Sequence, residues 1–274
     1  MTSSAADAVP ACPPPRSVAL SHGNLSYREC GSGEPIVFLH GLLGSSRSWA
    51  FQLEHFGTTR RAIAWDAPGY GQSAVVPVSI DAFVEALREF LAAIDVERAV
   101  VVGHSMGGTV ATRLAARHPD LVSRLVLSCS HPGYGAPESA PMSPKFEKRM
   151  RELEELGRTA YGAARARDLL PMPVAPAVRA YAAEVAAETD PEGLRRATRM
   201  LQLADNRPLL PCLRMPLLVL TGGIDKTVLP ELKADLLRLT AGARHIEMPD
   251  IAHAPYFQAP DYYDGLIDEF ISAT

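Results

Sequence analysis

The stretch VVGHSMGGTV, residues 101–110, decides the fold. An apolar run ends in His104 and Ser105, and glycines stand two positions either side of the serine, at Gly103 and Gly107, with Gly108 following. Residues 98–104 read as a buried strand, and 106–118 as a helix that stops before Pro119. Ser105 then occupies a tight strand-to-helix turn. Such a turn forces an unusual backbone conformation on its central residue and crowds the positions two before and two after, where only glycine fits. The strain, ~1–3 kcal/mol, persists only where it serves a purpose. Here it lifts the serine Oγ clear of the sheet at a helix N-terminus, where free N–H groups favour negative charge.

Outward from this turn, short apolar runs alternate with helical patterns. PIVFLH (35–40), RAIAWD (61–66), RLVLSCS (124–130) and PLLVLTGG (216–223) are continuous and rich in Val, Ile and Leu, and ARHIEMPD (243–250) is a weaker run of the same kind. Such runs suit strands buried on both faces of a parallel sheet. Between them, Ile80, Phe83, Val84, Leu87, Phe90, Leu91 and Ile94 follow helical spacing behind an N-cap at Ser79. Further helices are predicted over 229–242, ending at Gly242, and over 260–274. Near the front, SVALSHGNLSYREC predicts a hairpin around Gly23-Asn24. Strand–helix alternation gives an α/β class with a mostly parallel sheet and helices on both faces. Residues 132–211 break the rhythm with many prolines and three amphipathic stretches, PKFEKRMRELEELGRTAYG, APAVRAYAAEVAAE and PEGLRRATRMLQLAD. They read as a helical insertion between core strands. The expected division is a disordered arm over 1–16, a core of 17–131 plus 212–274, and the insertion.

The 274 residues suffice for one large α/β domain. With 27 basic and 31 acidic residues the net charge is −4, which implies neither a nucleic-acid nor a membrane-surface partner. No apolar run approaches the ~18 residues of a membrane span. The start, MTSSAADAVPACPPPRS, has neither the basic region nor the apolar core of a signal peptide, so a cytoplasmic location is expected. Cys12, Cys30, Cys129 and Cys212 are far apart and match no zinc or redox motif; free thiols are expected, and neither metal nor cofactor is called for.

A serine hydroxyl is a poor nucleophile without a base. Of eight histidines, His253 follows the last strand and precedes the last helix, at the carboxyl edge where parallel sheets place their chemistry. His131 follows a strand at the same edge and is the rival base. His245 lies within a strand and His118 at a helix end, both structural readings, while His22 and His55 fall far from the relevant edge. The base needs a carboxylate to hold its tautomer. Asp225, after the strand PLLVL, supplies it, whereas Asp250 stands too near His253 in sequence to orient it. For the developing oxyanion, the glycine-flexible loop HGLLGSSRSW aims the amide of Leu42 at the site, joined by the amide of Met106 after the nucleophile. His40 and Gly41 shape that loop; Gly103, His104 and Gly107 shape the serine turn. Activity is expected to rise with pH as His253 loses its proton.

The combination of HGLLGS, DAPGYGQS (66–73), GHSMGG, Asp225 within GGIDKTVLP, and AHAPYFQAP resembles the α/β-hydrolase fold superfamily over residues 17–274. The resemblance implies an eight-stranded sheet with a helical cap, a loop-shaping rather than catalytic Asp66, and a small-molecule substrate. It also implies a pocket drawn from Leu43, His131, Tyr134, Met142, Met150 and Tyr161, with Met172, Tyr181 and Met200 as further cap candidates. Residues 138–210 hold 12 basic and 11 acidic side chains, so the cap's arginines read as a solvated face. A serine nucleophile argues against haloalkane dehalogenases and epoxide hydrolases. The pattern is most similar to carboxylesterases and 3-oxoadipate enol-lactonase-like enzymes. Carbon–carbon hydrolases of vinylogous diketones, cofactor-free haloperoxidases and a non-turnover receptor stay open. Substrate identity and oligomeric state are not legible.

Overall fold

A computed structural model describes residues 8–273. Eight strands form one sheet: β1 (Arg16–Leu20), β2 (Gly23–Cys30), β3 (Pro35–Leu39), β4 (Arg61–Trp65), β5 (Ala99–His104), β6 (Val122–Ser128), β7 (Leu217–Gly222) and β8 (Arg244–Met248). Their order is β1-β2-β4-β3-β5-β6-β7-β8. β2 runs antiparallel to both β1 and β4, and every pairing from β4 across to β8 is parallel.

The continuous apolar runs follow from burial on both faces. Val37, Leu39, Ile63, Trp65, Val101, Leu125, Leu127 and Val219 point to one side. There they meet α2 (Ile80–Ala93) and α3 (Met106–Arg117) through Phe83, Leu87, Val110 and Leu114. Their neighbours Ile36, Phe38, Ala62, Ala64, Val100, Val102, Val126, Leu218 and Leu220 point to the other. That face carries α1 (Ala50–Phe56), α8 (Pro255–Gln258) and α9 (Pro260–Ala273), α9 packing through Tyr263, Ile267 and Phe270, whereas α7 (Pro230–Leu239) joins the first core through Leu236. The period-two alternation of a strand thus feeds two cores at once. Ser79 caps α2 by accepting the Ala82 N–H at 3.1 Å. α1 escapes the sequence reading because it is short and emerges from a preceding 3-10 turn, Ser46–Trp49.

Between β6 and β7 lie α4 (Pro144–Leu169), α5 (Pro176–Ala187) and α6 (Pro191–Leu203). α4 is interrupted at Gly157, whose φ of 72° and ψ of 163° leave the helical region. This segment does not keep a separate core. Ala166, Leu170, Val178 and Ala182 join one face of the sheet, and Ala197, Met200 and Leu201 join the other. Among the described residues only Leu153, Tyr161 and Leu194 form a cluster of their own.

One local expectation is corrected. The hairpin turns at Ser21-His22, because Gly23 and Asn24 already pair with Leu20 and Ala19. The first seven residues of the expected arm lie outside the described residues. From Val9 onward the chain has no regular structure before β1, yet it is not loose: Val9 and Cys12 pack on the core and the Arg28 guanidinium donates to the Pro13 carbonyl. Among the described residues no helix is long and apolar enough to cross a membrane.

A buried carboxyl joins α1 to α9: Gln52 Nε2 donates to Asp264 Oδ1 at 2.9 Å. Burial pushes Asp264 up to about 7, only partly offset by the Gln52 bond. An unfolded aspartate ionises near pH ~3.9. Between about pH 4 and 7 the folded chain therefore holds a proton that the unfolded chain has lost, and stability falls as pH rises through that window. Asp264→Asn keeps the acceptor and removes the titration. It is expected to gain ~1–4 kcal/mol over the native chain at pH 8, with a flatter melting temperature between pH 4 and 8. A native-like pH dependence in the variant would exclude this account.

Candidate active site

Ser105 sits between β5 and α3 with φ 52° and ψ −115°, the strained turn expected from the glycines. Each glycine answers a different clash. A Cβ on Gly103 would lie 2.6 Å from the Gly107 carbonyl oxygen, whereas one on Gly107 would lie 2.1 Å from the Leu39 carbonyl oxygen on β3. The turn is also pinned from β6. Ser105 N–H donates to the Ser128 carbonyl at 2.9 Å, and Ser130 Oγ donates to the Ser105 carbonyl at 2.8 Å.

Asp225 follows β7 and His253 follows β8, so two parallel neighbours deliver both side chains to one edge. Their loops are stitched together by Gly223 N–H to Met248 O (2.8 Å) and Ile224 N–H to Ile251 O (3.1 Å). His253 Nδ1 lies 2.8 Å from Asp225 Oδ2, and the Thr227 N–H donates to Oδ1 at 2.7 Å. Burial pushes the Asp225 carboxyl up, but the facing imidazole and the Thr227 amide more than reverse this and hold it below its ordinary value. The ionised carboxylate fixes the proton on Nδ1 and leaves Nε2 as an acceptor. His253 and Ser105 line one cavity of about 50 Å³.

His131, the rival base, lines the same cavity in another role. Its Nδ1 accepts the Gly133 N–H at 3.1 Å, so the proton resides on Nε2, and no carboxylate is bonded to it among the described residues. Burial, then the nearby His253, pushes it down to about 3. His104 stacks 4.7 Å from the His253 ring and is likewise held well below its ordinary value, first by burial and then by His253. Both are neutral packing partners. His245 bonds Thr221 within the sheet at 2.9 Å, and His55 lies against Asp268 at 2.6 Å, away from the cavity.

The amide N–H groups of Leu42 and Met106 donate to no protein acceptor among the described residues. Leu42 shares its peptide plane with the Gly41 carbonyl, which accepts from Gly44 N–H (3.0 Å) and from His40 Nδ1 (2.8 Å). Because N–H and C=O of one peptide are rigidly opposed, holding the Gly41 oxygen aims the Leu42 N–H. His40 Nε2 in turn accepts the Ala67 N–H at 3.0 Å, and Tyr70 Oη donates to the Leu42 carbonyl at 2.9 Å. Burial pushes His40 down, consistent with a neutral ring that donates once and accepts once. Asp66 shapes the adjacent loop by accepting Ser46 N–H and Ser26 Oγ, both at 2.6 Å. His40→Phe removes both ring bonds at similar volume. It is expected to lower kcat by ~10–100-fold with a smaller change in KM, since a misaimed donor acts on the transition state. Equal loss in KM alone would show that His40 only shapes the pocket.

The pocket expectations divide. Leu43, His131 and Tyr134 line the cavity. Tyr161 does not: it is fully buried against Leu153 and Leu194. Met150 packs on that same cluster, Met142 is half-buried elsewhere, and Met200 joins the sheet core. Missed by sequence were Lys145, Phe146, Arg149, Val228 and Tyr256. Lys145, Phe146 and Arg149 stand at i, i+1 and i+4 of α4, a spacing that a search for apolar residues passes over. Cys129 Sγ, Asp225 and His253 bring ligand-type atoms within 4.8 Å of one another. Burial pushes the Cys129 thiol up, and His253 Nδ1 and Asp225 Oδ2 are committed to each other.

Comparison with known proteins bears on the fold and the family. A family model described as alpha/beta hydrolase fold covers residues 34–260. The chain is 30% identical over 255 residues to a pimeloyl-[acyl-carrier protein] methyl ester esterase from Edwardsiella ictaluri, covering 90% of this chain and 96% of that one. An enol-lactonase from Burkholderia xenovorans LB400 superposes with a TM-score of 0.82 at 26% identity, covering 94% of this chain and 100% of its own. Several curated relatives match only in part: an uncharacterized protein of Mycobacterium tuberculosis is 36% identical over 118 residues, 42% of this chain and 35% of its length. With its eight-stranded sheet, serine turn and a family match across most of its length, the chain belongs to the alpha/beta hydrolase fold family.

Proposed function

We propose that the protein is a serine hydrolase of a carboxylic ester or lactone, acting through Ser105, His253 and Asp225. One observation carries the reading: a serine in a strained turn at a helix N-terminus shares a cavity with a histidine whose Nδ1 is held by a buried aspartate. In this mechanism Ser105 Oγ attacks the carbonyl carbon while His253 Nε2 takes the hydroxyl proton. The oxyanion is received by the free amides of Leu42 and Met106, each such donor stabilising the transition state by ~3–4 kcal/mol. His253 returns the proton to the leaving alkoxide. Water then gives its proton to the same nitrogen and attacks the acyl-serine, releasing the acid and restoring Oγ–H. The similarity to a methyl ester esterase and to an enol-lactonase supports this choice of bond. The partner is a small molecule.

The test is a fluorophosphonate probe with the labelled peptide identified by mass spectrometry, run beside a hydrolysis screen of esters, lactones, thioesters and vinylogous diketones. Labelling at Ser105 with ester or lactone turnover is expected. An unlabelled native chain favours a non-turnover receptor, and turnover confined to the diketones reassigns the chemistry to carbon–carbon bonds.

A further inference from the structure

The cavity holding Ser105 and His253 adjoins a larger one of about 600 Å³, and Leu43, Lys145, Arg149, Leu169, Thr227 and His253 line both. The walls of the first are otherwise largely apolar, with Leu43, Phe146, Leu201 and Val228. Against that background the cations stand out. Lys145 and Arg149 are four apart on α4 and so share a face. The larger cavity adds Arg165, Arg167 and Lys226 but only one acid, Asp168. Arg165 is already matched, to Asp168 at 3.0 Å and Glu152 at 3.5 Å. Lys145 Nζ donates only to the Thr227 carbonyl, at 3.3 Å. Arg149 has no hydrogen bond or ion pair among the described residues, although it is half-buried.

A half-buried, unmatched guanidinium beside a second cation is costly unless an anion joins them. Burial and then Arg149 push the Lys145 ammonium below its ordinary value, as expected for two like charges facing one space. The acids nearby relieve it only in part: Glu147, Glu154 and Glu155 are exposed, Glu152 pairs with Arg165 and Lys148, and Asp225 and Glu231 act on the largely exposed Lys145 more weakly than Arg149 does. A guanidinium and an ammonium converging on a cavity next to a nucleophile form a receptor for a carboxylate or phosphate.

We infer that the substrate carries an anionic group, a carboxylate or phosphate, held by Arg149 and Lys145 while its scissile carbonyl lies at Ser105. This assignment rests on the hydrolase reading above and deepens it. Arg149 and Lys145 are binding residues in it and take no part in proton transfer.

The test compares kcat/KM for monomethyl adipate with that for dimethyl adipate and methyl hexanoate. Native protein is expected to prefer the half-ester by about 10- to 100-fold. Arg149→Gln should collapse that ratio, mainly through KM, while Lys148→Gln, which removes an exposed charge of the same helix outside the cavity, should keep it. Arg149→Glu should turn the preference toward methyl 6-aminohexanoate, a result that misfolding cannot produce. Binding is read separately from turnover: adipate should raise the melting temperature of native protein and not of Arg149→Gln. Inorganic phosphate tested alongside identifies which anion is preferred. Equal kcat/KM for charged and neutral esters, a ratio unmoved by either Arg149 variant, or no anion-dependent shift in melting temperature overturns the inference. Fluorophosphonate labelling of Ser105 that persists alongside any of these leaves the hydrolase reading standing; its absence, with the adipate shift intact, removes that reading alone.

Discussion

Ser105→Ala is expected to lower ester hydrolysis by ~10⁵–10⁶-fold and to abolish fluorophosphonate labelling, with the melting temperature unchanged or raised. The loss is large because in the proposed mechanism the alcohol is the bond-forming group and no neighbouring group replaces it. Cys129 is buried with its thiol held protonated, and Ser130 Oγ is occupied by the Ser105 carbonyl. A residual ~10³–10⁴-fold advantage over water remains, since the free amides of Leu42 and Met106 still receive the oxyanion. Alanine also accepts φ 52° poorly, as serine does, so the strain of the turn is retained rather than released. Stability therefore serves as the control. A variant as active as the native chain would remove Ser105 from the mechanism.

Asp225→Asn carries the second largest effect, a fall of ~10⁴-fold in kcat. The asparagine Oδ1 still accepts the Thr227 N–H, while its amide group now donates toward His253 Nδ1. That reverses the tautomer: the proton moves to Nε2, and the nitrogen facing the cavity loses its capacity to take the serine proton. Binding of substrate needs no change, so KM is expected to move far less than kcat. Hydrolysis within tenfold of native would show that Asp225 only braces its loop.

The α/β order was legible because it rests on local periodicity. Five apolar runs with no polar face announce strands covered on both sides, and β3, β4, β5, β6 and β7 lie within two residues of the predicted segments. The Ser105 turn was legible because a steric rule acts within five residues, although the reason for Gly107 was only half visible: its clash is with Leu39 on a neighbouring strand. Ser105, Asp225 and His253 could be singled out as candidates because each follows a strand, and a parallel sheet brings such ends to one edge. The 3-10 turn and α1 were missed because a short helix held by tertiary packing leaves little periodic signal.

The pocket is where sequence failed. Twelve basic and eleven acidic residues over 138–210 sum to near neutrality, and a sum carries no direction. Folding sorts the charges: half-buried Arg149 and the more exposed Lys145 line the cavity, while Glu147, Glu154 and Glu155 are exposed and line neither cavity. Tyr161, chosen for its chemistry, is sealed against Leu153 and Leu194 instead. The sequence by itself determined the sheet, the strained serine and the order of the three candidate catalytic residues, because backbone sterics and apolar periodicity act over a few residues. Only the tertiary structure decided which side chains enclose the substrate space, because that depends on how helices far apart in the chain rotate and pack over the sheet edge.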